Sequence, residues 1–478
     1  MNVSSIKQGA AAAAAAVIFV SGTGLEVGSA FAATTASVVP EFPKYRTLRQ
    51  DEDWSGWKSK AGAGGLDSLK YIEVSRDGAV WLSLGAQLRE RLEVWDDFAF
   101  GAPAVADDVF LLTRLFAHAD LHIGETWRVF VQAKSALSSD RDLPGGRRTL
   151  DMDRFDIQNG FVEFKQRAGQ LAVRVRAGRE ELLFGKQRLV SPLDWSNTRR
   201  TFDGANVRLA SGANEATLFF TKPVVIQRAE INDAGSNEFY GIYATHDGGD
   251  GSGLDLYLLA LDRDGVSFNG NSGNEERYTT GIRLFGALPA ALDYDLESAY
   301  QFGRVGSADV DAYMVASQLG GIAPVLGRHL RWELGFDYAS GDDSAGDGDV
   351  GTFNQLFPLG HAYLGYIDII GRQNIMDARA SVKIPVAAKT TLALDLHSFR
   401  RAEAADALYN AGGKVVRAGA PGSSKDVGRE LDVTLKHKLS RHILVLFGFN
   451  HFFPGDFIDE TGASKAIDFG YAMFQYTI

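Results

Sequence analysis

The chain contains no cysteine among its 478 residues, which removes thiol chemistry, cysteine-ligated zinc and disulfide stapling together. Proline is scarce, at 12. No stretch beyond the N-terminus stays apolar over the roughly 18 residues a membrane-spanning helix needs. Basic residues are outnumbered 49 to 60, a formal net charge of −11. General nucleic-acid binding, which requires a basic footprint, is thereby excluded as a partner class. The G-x-S-x-G, H-E-x-x-H and Walker patterns are missing, so no catalytic residue is assigned and nothing marks an enzyme. What is present is 45% apolar content, 53 glycines and 30 phenylalanines. That is ample surface to bury, in a composition suited to many strands and turns.

Lys7 is followed by an apolar run from Ala10 to Val20 and by small residues reaching Ala30-Phe31-Ala32-Ala33. A basic start, a short apolar core and an A-x-A-like site describe a secretory signal peptide, here residues 1–32. Cleavage after Ala32 removes Lys7 and Glu26 and leaves the net charge unchanged. Residues 33–78, with Pro40, Pro43 and a glycine-rich end, are expected as a periplasmic N-terminal extension, and residues 79–478 as a single barrel domain.

From about residue 78 the chain falls into segments that alternate with period two. Between Val80 and Val94, Leu82, Leu84, Ala86, Leu88, Leu92 and Val94 share one face, interrupted only by Glu90. Trp81, Ser83, Gly85, Gln87, Arg89, Arg91 and Glu93 share the other. The split recurs at Leu171, Val173 and Val175 against Arg174 and Arg176, at Leu392, Leu394 and Leu396 against Asp395 and His397, and at Leu431, Val433 and Leu435 against Asp432, Thr434 and Lys436. A helix would mix these sets. His118 and His122, four apart on such a strand, are about 13 Å apart and share no metal.

The polar face carries Arg, Asp and Gln, which suits a water-filled lumen better than a sandwich surface. Tight connections at Ala168-Gly169, Leu288-Pro289-Ala290 and Ala387-Ala388 contrast with long ones after Phe184 and Ser340, the asymmetry of periplasmic turns and outer loops. The chain ends in a strand, Phe469 to Ile478. The predicted fold class is therefore all-β, a transmembrane antiparallel β-barrel of the outer-membrane type with about 18 strands. Trp95, Phe98, Phe110, Tyr300 and Phe302 are expected in its interfacial aromatic girdles. Outer-membrane lipid and lipopolysaccharide are its expected surroundings.

Two long motifs carry a resemblance. One runs from Ala177-Gly178-Arg179-Glu180-Glu181-Leu182-Leu183-Phe184-Gly185-Lys186-Gln187-Arg188-Leu189 into Asp194-Trp195-Ser196-Asn197-Thr198-Arg199-Arg200-Thr201-Phe202-Asp203-Gly204. The other is Ser340-Gly341-Asp342-Asp343 with Gly351-Thr352-Phe353-Asn354-Gln355-Leu356-Phe357-Pro358 and Gly360-His361-Ala362-Tyr363. With Tyr45-Arg46, Glu52-Asp53-Trp54 and Leu88-Arg89-Glu90-Arg91, they resemble the alginate export family of outer-membrane proteins over nearly the whole mature chain. The resemblance implies a monomeric eighteen-stranded barrel that passes an anionic polysaccharide through an arginine-rich pore, beside periplasmic secretion partners.

A polyuronate bears one carboxylate per sugar, so its path calls for cations that hold carboxylates bidentately and never deprotonate. The lumen-facing candidates are Arg89, Arg91, Arg174, Arg176 and Arg283. In the motif loop, Arg179, Arg188, Arg199 and Arg200 are expected to form a basic constriction with Asp194 and Asp203. The loop holding Asp343, Asp347 and Asp349 is rich in oxygen ligands but lacks the EF-hand spacing, so calcium stands as a weak expectation and no other cofactor is called for. Phe353 to Pro358 are expected to fold that loop inward. The function expected is a passive channel for anionic polysaccharide or oligouronate. The alternatives are a general diffusion porin without carbohydrate specificity and a closed barrel serving adhesion through its outer loops.

Overall fold

The computed structural model describes residues 43–60, 65–325 and 327–478. The chain divides into Met1–Lys44 and Tyr45–Ile478. The expected signal peptide lies outside the described residues. The second unit is the barrel.

Eighteen long strands make its wall. In chain order they are β1 (Val80–Asp96), β2 (Asp108–Ile123), β3 (Trp127–Ser138), β4 (Asp153–Ala168), β5 (Leu171–Glu180) and β6 (Phe202–Ser211). Next come β7 (Asn214–Val225), β8 (Glu238–Gly249), β9 (Ser252–Phe268), β10 (Asn271–Leu288), β11 (Leu292–Val305) and β12 (Ala308–Val325). The wall ends with β13 (Arg328–Ala339), β14 (Ile375–Ala387), β15 (Thr390–Arg400), β16 (Asp426–Lys438), β17 (Ile443–Pro454) and β18 (Ile467–Thr477). Each pairs antiparallel with its sequence neighbours, and β18 returns to β1 with Thr477 opposite Gln87 and Asp468 opposite Asp96. An even number of antiparallel strands closes without an edge, so every wall amide finds a partner inside lipid.

Burial runs opposite to that of a soluble protein. On β1 the polar face is hidden, with Arg89 2% and Arg91 3% exposed, whereas Leu92 and Val94 are 40% and 42% exposed. Leu396, Phe447 and Phe449 behave likewise. The apolar face is the lipid face. Tyr300 and Phe302 are exposed on it, as a girdle requires. Trp95, Phe98 and Phe110 are not: Trp95 stacks on Phe469 at 4.1 Å and meets Phe98 edge-on at 5.3 Å, and Phe110 is buried with Leu112 and Leu143. The reason is parity, since Trp95 falls on the face of Arg91 and Glu93, and Phe110 on that of Arg114.

One end of the barrel carries tight turns such as residues 169–170, 212–213 and 388–389, with Gly169 and Gly212 at φ +61° and +55°. The other end carries the loops 97–107, 139–152, 181–201, 226–237, 340–374, 401–425 and 455–466. Three of these turn back inside and lace together. Phe357 N–H donates to Leu189 O at 2.8 Å, Leu359 N–H to Gln187 O at 3.0 Å and Gly371 N–H to Tyr409 O at 2.7 Å. Phe353 is fully buried, matching its expected inward fold. Around it Phe202, Phe219, Phe239 and Ile370 form an apolar core inside the loop-end half of the barrel.

The turn end is entered by the chain itself. Residues 45–60 and 65–71, part of the expected extension, pack against the inner wall. Arg49 donates to Ile478 O at 2.8 Å, Lys70 to Leu84 O at 2.9 Å and Gln50 Nε2 to Glu181 O at 3.2 Å.

Candidate conduit

The loop 181–201 is the first piece of the candidate site. Gly185 sits at φ +51°, and a Cβ there would lie 2.4 Å from the Tyr243 hydroxyl, so this bend of the motif belongs to glycine. Asn197 stitches the loop down, its Nδ2 donating to Thr113 O at 3.0 Å, Leu137 O at 3.1 Å and Asp151 O at 2.9 Å. Arg89 grips the same loop from β1, donating to Asp194 O at 2.7 Å and Ser196 O at 2.9 Å. Arg91 pairs with Glu93 at 2.7 Å, donates to Trp195 O at 2.6 Å and lies over the Trp195 ring at 3.9 Å. Both face the lumen as expected, and both act as clamps on the loop.

Arg199 bridges Glu181 at 2.6 Å and Asp194 at 2.9 Å, and donates to Thr47 O of the N-terminal segment at 3.0 Å. Distance from bulk water would raise the Asp194 carboxyl, yet Arg199, Arg114 and Arg89 hold it well below the usual carboxylate range. Arg200 has the Ser191 carbonyl at 3.0 Å and the Phe357 ring at 5.3 Å. Burial pushes its guanidinium down to about 10. Arg188 crosses to β11, meeting Asp295 at 2.7 Å and Glu297 at 2.9 Å. Arg283 holds Asp255 at 2.7 Å and Asp295 at 2.6 Å. Arg176 holds Glu163 at 2.6 Å and Glu180 at 2.8 Å.

Two expectations are corrected. Arg179 and Asp203 do not line a constriction: strand alternation places them with Ala177 and Ala205 on the outward face, paired at 2.7 Å beneath Asn232 of an outer loop. β5 runs to Glu180, so Arg179 still alternates and points away from Arg176. The basic constriction of four arginines is accordingly replaced: Arg179, Arg188 and Arg199 sit in separate ion pairs, while Arg200 rests on a carbonyl and a ring. Asp343, Asp347 and Asp349 are exposed and do not converge. Among the described residues, the three carboxylates with oxygens within 4.8 Å of one another are Asp96, Asp97 and Asp107.

Three features escaped the sequence reading. Arg114 on β2, fully buried, meets Asp194 at 3.0 Å; its parity with His118 and Asp120 was legible, its partner was not. Glu163 on β4 is a single buried carboxylate serving four cations: Arg176 at 2.6 Å, Lys165 at 3.0 Å, Arg128 at 3.5 Å and Arg174 at 3.9 Å. Finally, Lys383 on β14 and Lys436 and Lys438 on β16 share the inward parity of Asp377 and Asp432 near the turn end, with one another as charged neighbours. Among the described residues no carboxylate lies within 4.0 Å of any of the three. Between the N-terminal segment and the β3–β6 wall lies a cavity of about 590 Å³ bordered by Asp51, Asp53, Trp81, Lys165, Arg174 and Arg208.

Comparison with solved structures returns outer-membrane porins. Pseudomonas aeruginosa OccK11 (OpdR) matches at 13% identity and TM-score 0.53, over 83% of this chain and 96% of that one. A BenF-like porin from Pseudomonas fluorescens Pf-5 matches at 11% and 0.57, over 83% and 98%. Pseudomonas aeruginosa OccK5 (OpdH) matches at 12% and 0.55, over 83% and 98%. At these identities the likeness is one of fold. No curated protein sequence matches the chain. The alginate export family model matches residues 80–471, the entire wall but for the last residues of β18, and the chain therefore belongs to the alginate export family of outer-membrane channels.

Proposed function

We propose that the protein passes anionic oligo- or polyuronate across the outer membrane, passively, through a lumen that selects carboxylates at its turn end. The observation that carries this reading is the inward-facing set Lys383, Lys436 and Lys438, which among the described residues has no carboxylate within 4.0 Å. Rings of like charge set the sign of what a pore admits, and a local surplus acts even in a chain of net charge −11. The arginines deeper in are buried and spent on carboxylates and loop carbonyls, which leaves the turn-end lysines as the cations open to cargo.

A second reading has its own support. Arg176, Arg188, Arg199 and Arg283 each meet two carboxylates, a charge-balanced wall that suits a general diffusion porin. Planar-bilayer recording separates the two. The uronate reading expects an anion-selective current blocked by oligouronate and untouched by neutral maltooligosaccharide. A weakly selective current that neither sugar blocks would overturn it in favour of the porin.

A further inference from the structure

The lipid face of the wall carries two arginines at its loop end that the conduit does not use. Arg400 on β15 alternates with Leu396 and Ser398, and Arg429 on β16 with Leu431 and Leu435, so both point away from the lumen. Both are exposed. Ser398 stands opposite Arg429 and Arg400 opposite Asp426. The two arginines are thus diagonal neighbours, within reach of each other's long side chains. Among the described residues neither has a carboxylate within 4.0 Å, Glu403 being held by Lys425 at 3.1 Å. Asp426 turns to Gly455, where an added Cβ would lie 2.7 Å from its Oδ2.

Their height on the wall is that of a lipid headgroup. Arg400 stands opposite Met376, and Met376 opposite Tyr338, which stacks on the exposed Tyr313 at 5.3 Å. Arg429 stands opposite Phe453, itself 49% exposed. Aromatics of this kind mark the membrane–water boundary, and long loops mark the outer side of such a barrel. Below the tyrosines the wall is furrowed. Ser317, small among Tyr294, Leu296, Leu319, Leu334 and Phe336, leaves a groove of about 320 Å³ on the lipid face. Phe336 and Leu334 lie two and four residues nearer the turn end than Tyr338, at the depth of acyl chains. The wall is not basic all round at the upper height. On β8–β10, Glu238, Asp262 and Glu276 stand side by side on the lipid face, and Arg304 on β11 is paired with Asp309 at 3.2 Å.

We propose that Arg400 and Arg429 form a docking site for lipopolysaccharide of the outer leaflet, their guanidiniums holding a lipid A phosphate while an acyl chain lies in the groove between β11 and β13. Arginine suits this place because its fork meets phosphate oxygens bidentately and keeps its charge beside an apolar surface. The headgroup layer supplies the anion that the protein itself withholds from these two side chains. Charge decides the position as well, since the acidic row on β8–β10 would repel the same phosphate. A lipid fixed here braces the two strands from which loop 401–425 turns into the lumen. The site is independent of what the lumen conducts.

The test is native mass spectrometry of the full-length protein in detergent, titrated with bisphosphorylated lipid A. The wild type should retain the lipid, and Arg400→Gln with Arg429→Gln should need about tenfold more of it for the same occupancy. Arg400→Lys with Arg429→Lys keeps both charges without the fork and should fall between the two. Arg304→Gln removes a paired arginine of the same band and should bind as the wild type does. Single-channel conductance, expected to match the wild type, verifies that each variant is a closed barrel, and the lysine pair carries the test should the glutamine pair not fold. Excess inorganic phosphate should leave the lipid in place. Equal occupancy in the wild type and the double variants would overturn the site, and displacement by phosphate alone would overturn its assignment to a lipid.

Discussion

The arginines around loop 181–201 and the lysines on β14 and β16 face one lumen and carry one charge, yet they do different work. Arg89, Arg91, Arg114, Arg188 and Arg199 are buried, and each is held by carboxylates or loop carbonyls. They hold a long loop inside a barrel where an unpaired polar group would be costly. Lys383, Lys436 and Lys438 stand exposed near the turn end, with no carboxylate within 4.0 Å among the described residues. A cation inside a pore is therefore not a pore-lining cation until its neighbours are known. The abundance of arginine on one wall reports the need to fasten loops as much as any cargo.

The largest effect expected from this contrast is structural. Arg188→Leu leaves Asp295 and Glu297 facing each other without the cation that joins them to the loop, at a cost of about 3–5 kcal/mol. Denaturant unfolding in lipid should show that loss, with ion selectivity unmoved. An Arg188→Leu protein of normal stability but reversed selectivity would collapse the distinction between clamp and selector.

A cation on the other side of the wall sharpens it. Leu394 lies on the lipid face with Leu396, so Leu394→Arg should cost about 2–4 kcal/mol if it sits near the midplane, again measured by unfolding into denaturant. Wild-type stability would mean that the faces of β15 are exchanged.

The smallest effect concerns the N-terminal segment. Burial pushes the Lys70 ammonium from 10.5 down to about 7, with Arg49 adding to the shift and Glu52, Asp67 and Asp120 opposing it. Between those values the undocked segment binds a proton that the docked one has given up, so docking strengthens as pH rises from about 7 toward 10.5 and is weakest below about 7. Hydrogen exchange of residues 45–70, corrected for intrinsic rates, should show protection growing across that window in the wild type. In Lys70→Met the trend should be flat.

Much of this was legible in the sequence. Period-two alternation assigned Leu92, Val94 and Leu396 to one face and Arg89, Arg174 and Arg176 to the other, and the long motifs marked the loops that fold inward. Parity would also have turned Arg179 outward and Trp95 and Phe110 inward, had β5 been followed to Glu180 and the aromatics been counted along their strands. What parity cannot reach is pairing across the lumen. Arg188 meets Asp295 more than a hundred positions away, and Arg49 meets the carbonyl of Ile478 at the far end of the chain. Whether a cation is spent or free depends on such contacts, so alternation alone ranks Arg89 and Lys436 as equals.

The most direct measurement is the reversal potential of single channels under a salt gradient, compared for the wild type, the triple variant Lys383→Gln/Lys436→Gln/Lys438→Gln, and Arg200→Gln. If the turn-end lysines select the anion, the triple variant loses most of its anion preference while Arg200→Gln keeps it. Unchanged selectivity in the triple variant, or its loss on replacing the half-buried Arg200, would contradict the account.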